Sequence, residues 1–251
     1  MTTNNQQPAD TQPVGNAVPE TRTSPTSRLL DWLGLGSWQG LITAVLLALA
    51  LREFLFAAYK IPSGSMIPTL EIGDQLIVNK ISYGLKLPLA EHKLWHGTVP
   101  DHGDIMVFRF PQDPSIDFIK RVIGVPGDRI RIDGRSVWVN DVALPREPLE
   151  DLVYQQDDGS YRTATRYRET HGGHSYEVLF DQNFFPSDHT EFTVPDEQYF
   201  MMGDNRDRSN DSRRWGFVPL DNFVGSPMIL HFSWDSLNWN VRFGRMFRTV
   251  D

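Results

Sequence analysis

Ser65 lies in Ser63-Gly64-Ser65-Met66-Ile67-Pro68-Thr69-Leu70, just after the main apolar stretch of the chain. A serine hydroxyl stays unreactive until a base takes its proton. Histidine is the commonest such base, but His92, His96, His102, His171, His174 and His189 fall in loop-like or polar sequence without an orienting aspartate. His231, in an apolar run, reads as a satisfied core residue. Lys120, in Phe118-Ile119-Lys120-Arg121-Val122-Ile123-Gly124, is the other candidate. A lysine amine titrates near ~10.4 and serves as a base only if burial lowers that value. Its apolar neighbours suit a dry setting, although a solvated Lys-Arg pair on a strand edge is the plain alternative. A Ser-Lys pair beside a membrane surface predicts acyl-transfer hydrolysis of substrates that emerge from the bilayer.

A third cluster runs from Gly203 to Pro219 and alternates acids with arginines: Asp204-Asn205-Arg206-Asp207-Arg208-Ser209-Asn210-Asp211-Ser212-Arg213-Arg214. Asp and Asn at short spacing suggest a calcium loop, but the arginines between them repel a cation and pair with the carboxylates. Gly203, Gly216 and Pro219 frame the segment tightly. The pattern predicts an ion-pair network that holds Ser209 in place, and no metal or other cofactor is called for.

The elements that must position these groups follow a simple order. Residues 1–27 are polar, without apolar periodicity, and are expected to be disordered. From Trp32 to Leu51 there are 20 residues without a charge, enough at ~1.5 Å each to cross a ~30 Å hydrocarbon layer. Ala48-Leu49-Ala50 also offers a small-x-small cleavage site, but the long polar region in front argues for an uncleaved anchor. Arg52-Glu53 marks an interface, and Phe54 to Tyr59 reads as a lipid-surface segment, so residues 28–60 are expected to form the anchor and its margin. Arg22 and Arg28 balance Arg52 and Lys60, so charge does not set the orientation.

Period-two patterning then predicts strands at Asp74–Lys80, Gly103–Phe110, Ile116–Val125, Gln198–Met202 and Ser226–Trp234. Arg129–Asn140 reads as a hairpin with Asp133-Gly134 at its turn. Residues 61–251 are thus expected to form a mainly β body of antiparallel, partly barrel-like sheets, with 145–195 as a smaller insert. The absence of cysteine excludes disulfides and thiolate chemistry, and a net charge of −8 argues against a nucleic-acid partner. Near the C-terminus, Trp234, Trp239, Phe243 and Phe247 mix with Arg242, Arg245 and Arg248, which suits either a membrane surface or packing on the body.

Four boxes in register resemble those of the bacterial type I signal peptidases: Ser63-Gly64-Ser65-Met66, Gly73-Asp74, Lys120 to Asp128, and Gly203 to Arg213. The resemblance covers about residues 54 to 235. It implies Ser65 as nucleophile and Lys120 as general base, with the Ser65 N–H and the Ser63 hydroxyl as an oxyanion hole. It further implies that Ser209 aims the Lys120 amine, and that Arg121 with Asp204 and Asp211 with Arg213 are structural ion pairs. Ile61, Pro62, Leu76, Val107, Phe118 and Ile119 correspond to shallow pockets for small side chains at substrate positions −1 and −3. The implied substrates are exported preproteins, cut by an enzyme held at membrane lipid on the outer face of the bacterial plasma membrane, with its tail cytoplasmic. One anchor here, where some members have two, is a minor departure. A self-cleaving serine/lysine repressor relative would need a DNA-binding helical domain, which the sequence lacks. A silent scaffold of the same fold is the other rival, and the joint presence of Ser65, Lys120 and Ser209 argues against it.

Overall fold

The computed structural model describes Met1 and residues 38–81, 97–156, 158–187, 189–236 and 238–250. Apart from Met1, the expected disordered tail lies outside the described residues, as do Trp32 to Ser37 of the expected anchor. The chain divides into two compact units, Met1–Leu49 and Ala50–Asp251.

Helix α1 spans Trp38–Leu55, rich in Leu and Ala, which favour helix. Its apolar residues fall on all sides, and Leu41, Val45, Leu46 and Leu49 are exposed. Among the described residues, no helix is long and apolar enough to cross a membrane. The charge-free part of α1 within the described residues, Trp38 to Leu51, covers about 21 Å at ~1.5 Å per residue, against ~30 Å needed, and Trp32 to Ser37 of the expected 20-residue stretch lie outside the described residues. The segment expected at the lipid surface also differs, because Phe56–Lys60 is strand β1. It pairs with β2, Asp74–Asn79, from Phe56↔Asn79 to Lys60↔Gln75.

The remaining strands follow in order. β3 is Ile105–Phe110, β4 Asp113–Gly124, β5 Arg129–Asp133, β6 Ser136–Val139, β7 Val142–Ala143, β8 Arg146–Pro148 and β9 Leu152–Gln155. β10 is Tyr161–His171, β11 His174–Asp181, β12 His189–Thr193, β13 Gln198–Met202 and β14 Val218–Pro219. β15 is Phe223–Asp235, with β16, Asn240–Val241, and β17, Arg248–Thr249, folded back on it. All of their ladders are antiparallel. The main sheet has the open order β1-β2-β15-β3-β4-β13-β14.

The stretch 145–195 supplies two different sheets. β8 to β11 form a sheet of their own, whereas β12 returns to pair with β5 beside the β5–β6 hairpin. That hairpin closes at Asp133↔Ser136, where Gly134 takes φ +55, a left-handed conformation for which glycine carries no Cβ penalty.

β3 explains where the core sits. Ile105 and Val107 pack with Met66, Leu70, Leu76 and Val78 on one face, while Met106 and Phe108 pack with Val122, Met201 and Phe223 on the other. A strand buried on both faces reads as an unbroken apolar run. β4 changes character along its length: Asp113–Asp117 is an exposed arm, and Lys120–Gly124 is buried. By alternation Lys120 shares a face with Phe118 and Val122.

Phe108 is fully buried, with Phe118, Phe223 and Trp215 ringed about it at centroid distances of 6.3, 6.0 and 6.0 Å. Phe108→Ala is expected to lower unfolding free energy by ~3–5 kcal/mol, read from the denaturant midpoint at unchanged slope.

Candidate active site

Ser65 sits in a one-turn 3₁₀ segment, Gly64–Met66, entered from extended Ser63. The turn is fixed on both sides. Ile67 N donates to Gly64 O at 3.2 Å, and Leu70 N to Met66 O at 2.9 Å. Asn205 clamps it from the acid-arginine loop: its backbone N donates to Ser65 O at 3.1 Å, and its Nδ2 to Gly64 O at 3.0 Å.

Lys120 reaches this turn from β4. Its Nζ donates to Ser65 Oγ at 2.6 Å and to Ile119 O at 2.9 Å. The side chain is buried, with 4% of the residue exposed, and the amine also lies 5.4 Å from the Phe118 ring centre. Burial lowers its pKa from 10.5 to about 8, against the opposing pull of Asp211 and Asp204.

Those two acids are each committed to an arginine. Arg121 Nε and Nη2 both donate to Asp204, at 2.9 Å each, while its Nη1 donates to Gly103 O at 2.7 Å. Thr69 Oγ1 also donates to Asp204, at 2.5 Å. Asp211 receives Arg213 Nε and Nη2 at 2.8 Å each and Gly203 N at 3.1 Å. Burial alone would raise the Asp211 pKa, but Arg213 and the Gly203 amide outweigh it and hold the carboxyl low.

Ser209 is placed differently from the expectation. Its Oγ is buried without a hydrogen-bond partner, and the Lys120 amine is shared between Ser65 and the Ile119 carbonyl instead. The hydroxyl helps keep Asp211 ionised without meeting hydrogen-bond geometry. Ser209 packs against Gly203, where a Cβ would lie 2.6 Å from Ser209 Cβ and would also collide with the Ser65 carbonyl oxygen. Close approach of the two loops therefore requires glycine at position 203.

A groove of about 550 Å³ opens over the pair. Ile61, Pro62 and Ser63 form one wall with Ser65, and Phe118, Ile119 and Lys120 form the other with Ile116. Leu76 and Val107 do not line it. Alternation along β2 and β3 turns both inward, to 0% and 2% exposure, where they pack behind Ile61 in the core. The rest of the rim is made by residues that sequence reasoning missed: Tyr154, Gln156 and Asp158 from the insert, and Asn205, Arg208 and Asn210.

The insert also anchors the loop from below. Arg206, 1% exposed, pairs with fully buried Glu169 of β10, its Nη1 donating to Oε2 at 3.0 Å. Burial would lower the Arg206 pKa, yet Glu169 and Tyr176 push it above the ordinary range. Tyr176 OH donates to Glu169 at 2.9 Å, and the Arg121 guanidinium lies 3.9 Å from the Tyr176 ring centre. A run of arginines between acids signalled pairing, but not with a partner 37 residues earlier in the chain.

Among the described residues, no histidine lines the groove, and His92 and His96 lie outside the described residues. His102 does have an aspartate, its Nε2 lying 2.7 Å from Asp128 Oδ2, a contact made between two loops distant in sequence. His231 Nδ1 is buried without a partner, contrary to the expectation of a satisfied core residue.

Comparison with known proteins adds the following. The family described as signal peptidase, peptidase S26, matches residues 35–232. Proteins named signal peptidase I from Pseudomonas fluorescens and Pseudomonas aeruginosa are each 38% identical over 200 residues, covering 75% of this chain and 69% of their own. One from Rickettsia bellii is 32% identical over 251 residues, covering 85% and 84%. Among solved structures, a crystal structure of a signal peptidase I from Enterococcus faecalis V583 is 25% identical, spans 51% of this chain and 97% of that one, and aligns with a TM-score of 0.32.

The depressed pKa of Lys120 has a consequence for stability. Between the folded value of about 8 and the ordinary 10.5 the unfolded chain binds the extra proton, so stability rises with pH across that window. Below it the folded state carries the whole cost of a buried ammonium, about 3 kcal/mol at 1.36 kcal/mol per pH unit. Lys120→Met is therefore expected to raise stability by ~1–3 kcal/mol at pH 7 and to flatten the rise between pH 8 and 10. Parallel denaturation curves of both proteins at several pH values measure this.

Proposed function

The chain belongs to the signal peptidase family, peptidase S26, and from that premise we propose that it removes signal peptides from exported preproteins by a Ser65–Lys120 mechanism. The observation that carries the reading is the 2.6 Å contact between Lys120 Nζ and Ser65 Oγ, made by an amine whose pKa is lowered to about 8. At pH 7 about one amine in ten is then neutral, compared with a few in ten thousand at the ordinary value.

In the proposed reaction the neutral Lys120 Nζ accepts the proton of Ser65 Oγ as that oxygen attacks the scissile carbonyl carbon. The Ser65 N–H and the Ser63 hydroxyl receive the oxyanion, a service worth ~2.7–4 kcal/mol per donor in related chemistry. Lys120 then returns the proton to the leaving amine, and the C–N bond breaks. A water molecule, giving a proton to Lys120, attacks the ester carbonyl; the bond to Ser65 Oγ then breaks, and Lys120 returns that proton to the departing oxygen. Asp204 and Asp211, each held by its arginine, brace the loop around the amine.

Substrate selection follows from the groove. Phe118, Ile119, Ile61 and Pro62 leave shallow apolar room, so alanine-sized side chains at positions −1 and −3 fit and larger ones overlap. Leu76 and Val107 act from behind, as the packed floor. The extended peptide adds to the open edge of β4, where Ile116 to Lys120 line the groove and pairing with β13 begins only at Arg121.

The reading also includes a tether. The apolar segment that ends in α1, together with residues 32–37 before it, anchors the body at membrane lipid on the outer face of the plasma membrane. Confinement of enzyme and preprotein to one surface raises their effective concentration.

The test is incubation of the full chain in detergent with a preprotein, followed by N-terminal sequencing of the product. Cleavage at the signal-peptide junction is expected. Ser65→Ala and Lys120→Ala should each lower kcat at least about a thousandfold with the fold intact, and Lys120→Arg should fail equally, because a guanidinium does not give up its proton. Full activity in any of the three overturns the mechanism. The wild-type rate should rise about tenfold per pH unit below pH 8 and level off above it; a rise confined to pH 10 and beyond contradicts a desolvated base.

A further inference from the structure

A second cavity of about 250 Å³ adjoins the groove, below the ~300–1,000 Å³ usual for free small molecules. The two cavities divide the nucleophile turn between them. Residues that enter the turn, Ile61 to Ser65, line the groove, whereas those that leave it, Ile67, Pro68 and Glu71, line the second cavity. Tyr154 and Gln156 belong to both and form the shared wall. Tyr154 is fixed there, its hydroxyl oxygen accepting from Asn205 Nδ2 at 3.2 Å and Gln156 Nε2 at 3.3 Å.

Strand β9, which carries Tyr154, continues that wall. Leu152, Val153, Tyr154 and Gln155 all line the cavity in succession, with Tyr161 of β10 beside Gln155 at one end. Side chains on one face of a strand come from alternate residues, so a cavity lined by every residue runs along the strand's edge. Among the described residues the ladder partner of β9 is β10 alone, from Gln155↔Tyr161 to Leu152↔Ala164. The edge facing the cavity therefore presents backbone N–H and C=O groups of the kind that accept an added strand.

A peptide cut at Ser65 has two halves. One becomes bonded to Ser65 Oγ, and the other departs as an amine. The open edge of β4 accounts for the first half. We infer that β9 docks the second: the residues just after the scissile bond, the start of the mature chain, add to the β9 edge in extended form within this cavity. The inference rests on the reading of Ser65 as nucleophile. Polar walls suit varied side chains there, with Arg242 Nε 3.2 Å from Glu71 and its Nη2 3.5 Å from Asp235, so that neither carboxylate faces the peptide uncompensated.

The test uses synthetic peptides with one shared signal-peptide half and either one or five residues after the cleaved bond. The longer peptide is expected to show a kcat/KM at least about tenfold higher, and N-methylation of its second or third mature residue, which removes a backbone N–H while sparing the side chain, should erase most of that gain. Val153→Trp, at a position 61% exposed, should lower the long-to-short ratio of kcat/KM by narrowing the cavity. Equal cleavage of long, short and N-methylated peptides by the wild-type enzyme overturns the inference and leaves the Ser65 reading standing. Cleavage of none of them removes that reading, and the inference with it.

Discussion

The site depends on keeping an amine dry next to two carboxylates. Desolvation favours the neutral form of Lys120, while Asp211 and Asp204 favour the charged one, and desolvation wins. The balance is possible because neither acid is bare. Arg121 takes both oxygens of Asp204, and Arg213 takes both of Asp211. An unpaired carboxylate at either position would draw the proton back onto the lysine, since an opposite charge within a few ångströms raises a lysine pKa by one to three units in round numbers. The arginines thus have an electrostatic part to play at the amine without touching it.

The same reasoning makes the insert a component of the site. Glu169 of β10 holds Arg206, Tyr176 of β11 donates to Glu169 and lies against Arg121, and Tyr154 of β9 meets Asn205. The contacts to Arg206 and Asn205 end on the acid-arginine loop, where the backbone and side chain of Asn205 grip the turn that carries Ser65, and the contact to Arg121 ends on β4 beside Lys120. A buried ion pair gives little net stability over apolar packing, but losing one partner costs several kcal/mol. Networks of this kind therefore hold a loop to one conformation, which a 2.6 Å contact between Ser65 and Lys120 requires.

Much of this was legible in the sequence, and the exceptions have physical causes. Short apolar or alternating runs located β2, β3, β4, β13 and β15 closely, because both patterns are local signals of a strand. The pairing of Ser65 with Lys120 and of acids with arginines followed from chemical type. Depth was not legible: Leu76 and Val107 are apolar like Ile61, and only the stacking of β2 and β3 shows that they lie under the groove rather than in it. Contacts between segments distant in sequence were equally hidden, as with Glu169 and Arg206, or His102 and Asp128. The resemblance gives Ser209 to the amine, whereas its hydroxyl makes no hydrogen bond here and Lys120 Nζ donates to Ser65 and Ile119. In the C-terminal region, Arg242 and Arg245 turn inward to Glu71 and Asp74, leaving Trp239, Phe243 and Phe247 exposed; composition alone did not separate the two groups.

On the proposed reading, strand edges that are open among the described residues lie on either side of Ser65, and they create a hazard as well as an opportunity, since an edge that accepts a substrate also accepts another copy of the chain. Acids flank both edges here. Asp113 and Asp117 stand on the exposed arm of β4, and Glu150, Asp151 and Asp158 stand at the two ends of β9. With a net charge of −8 over the whole chain, two molecules approaching edge to edge meet like charges, whereas a neutral or basic peptide does not. In the proposed mode of binding, recognition through backbone groups is indifferent to most side chains, so selectivity would fall to the few shallow positions walled by Phe118, Ile119, Ile61 and Pro62. An enzyme that bound its substrate this way would tolerate wide variation around the cut while remaining strict about size at one or two positions, and acids along its edges would oppose edge-to-edge pairing of two copies.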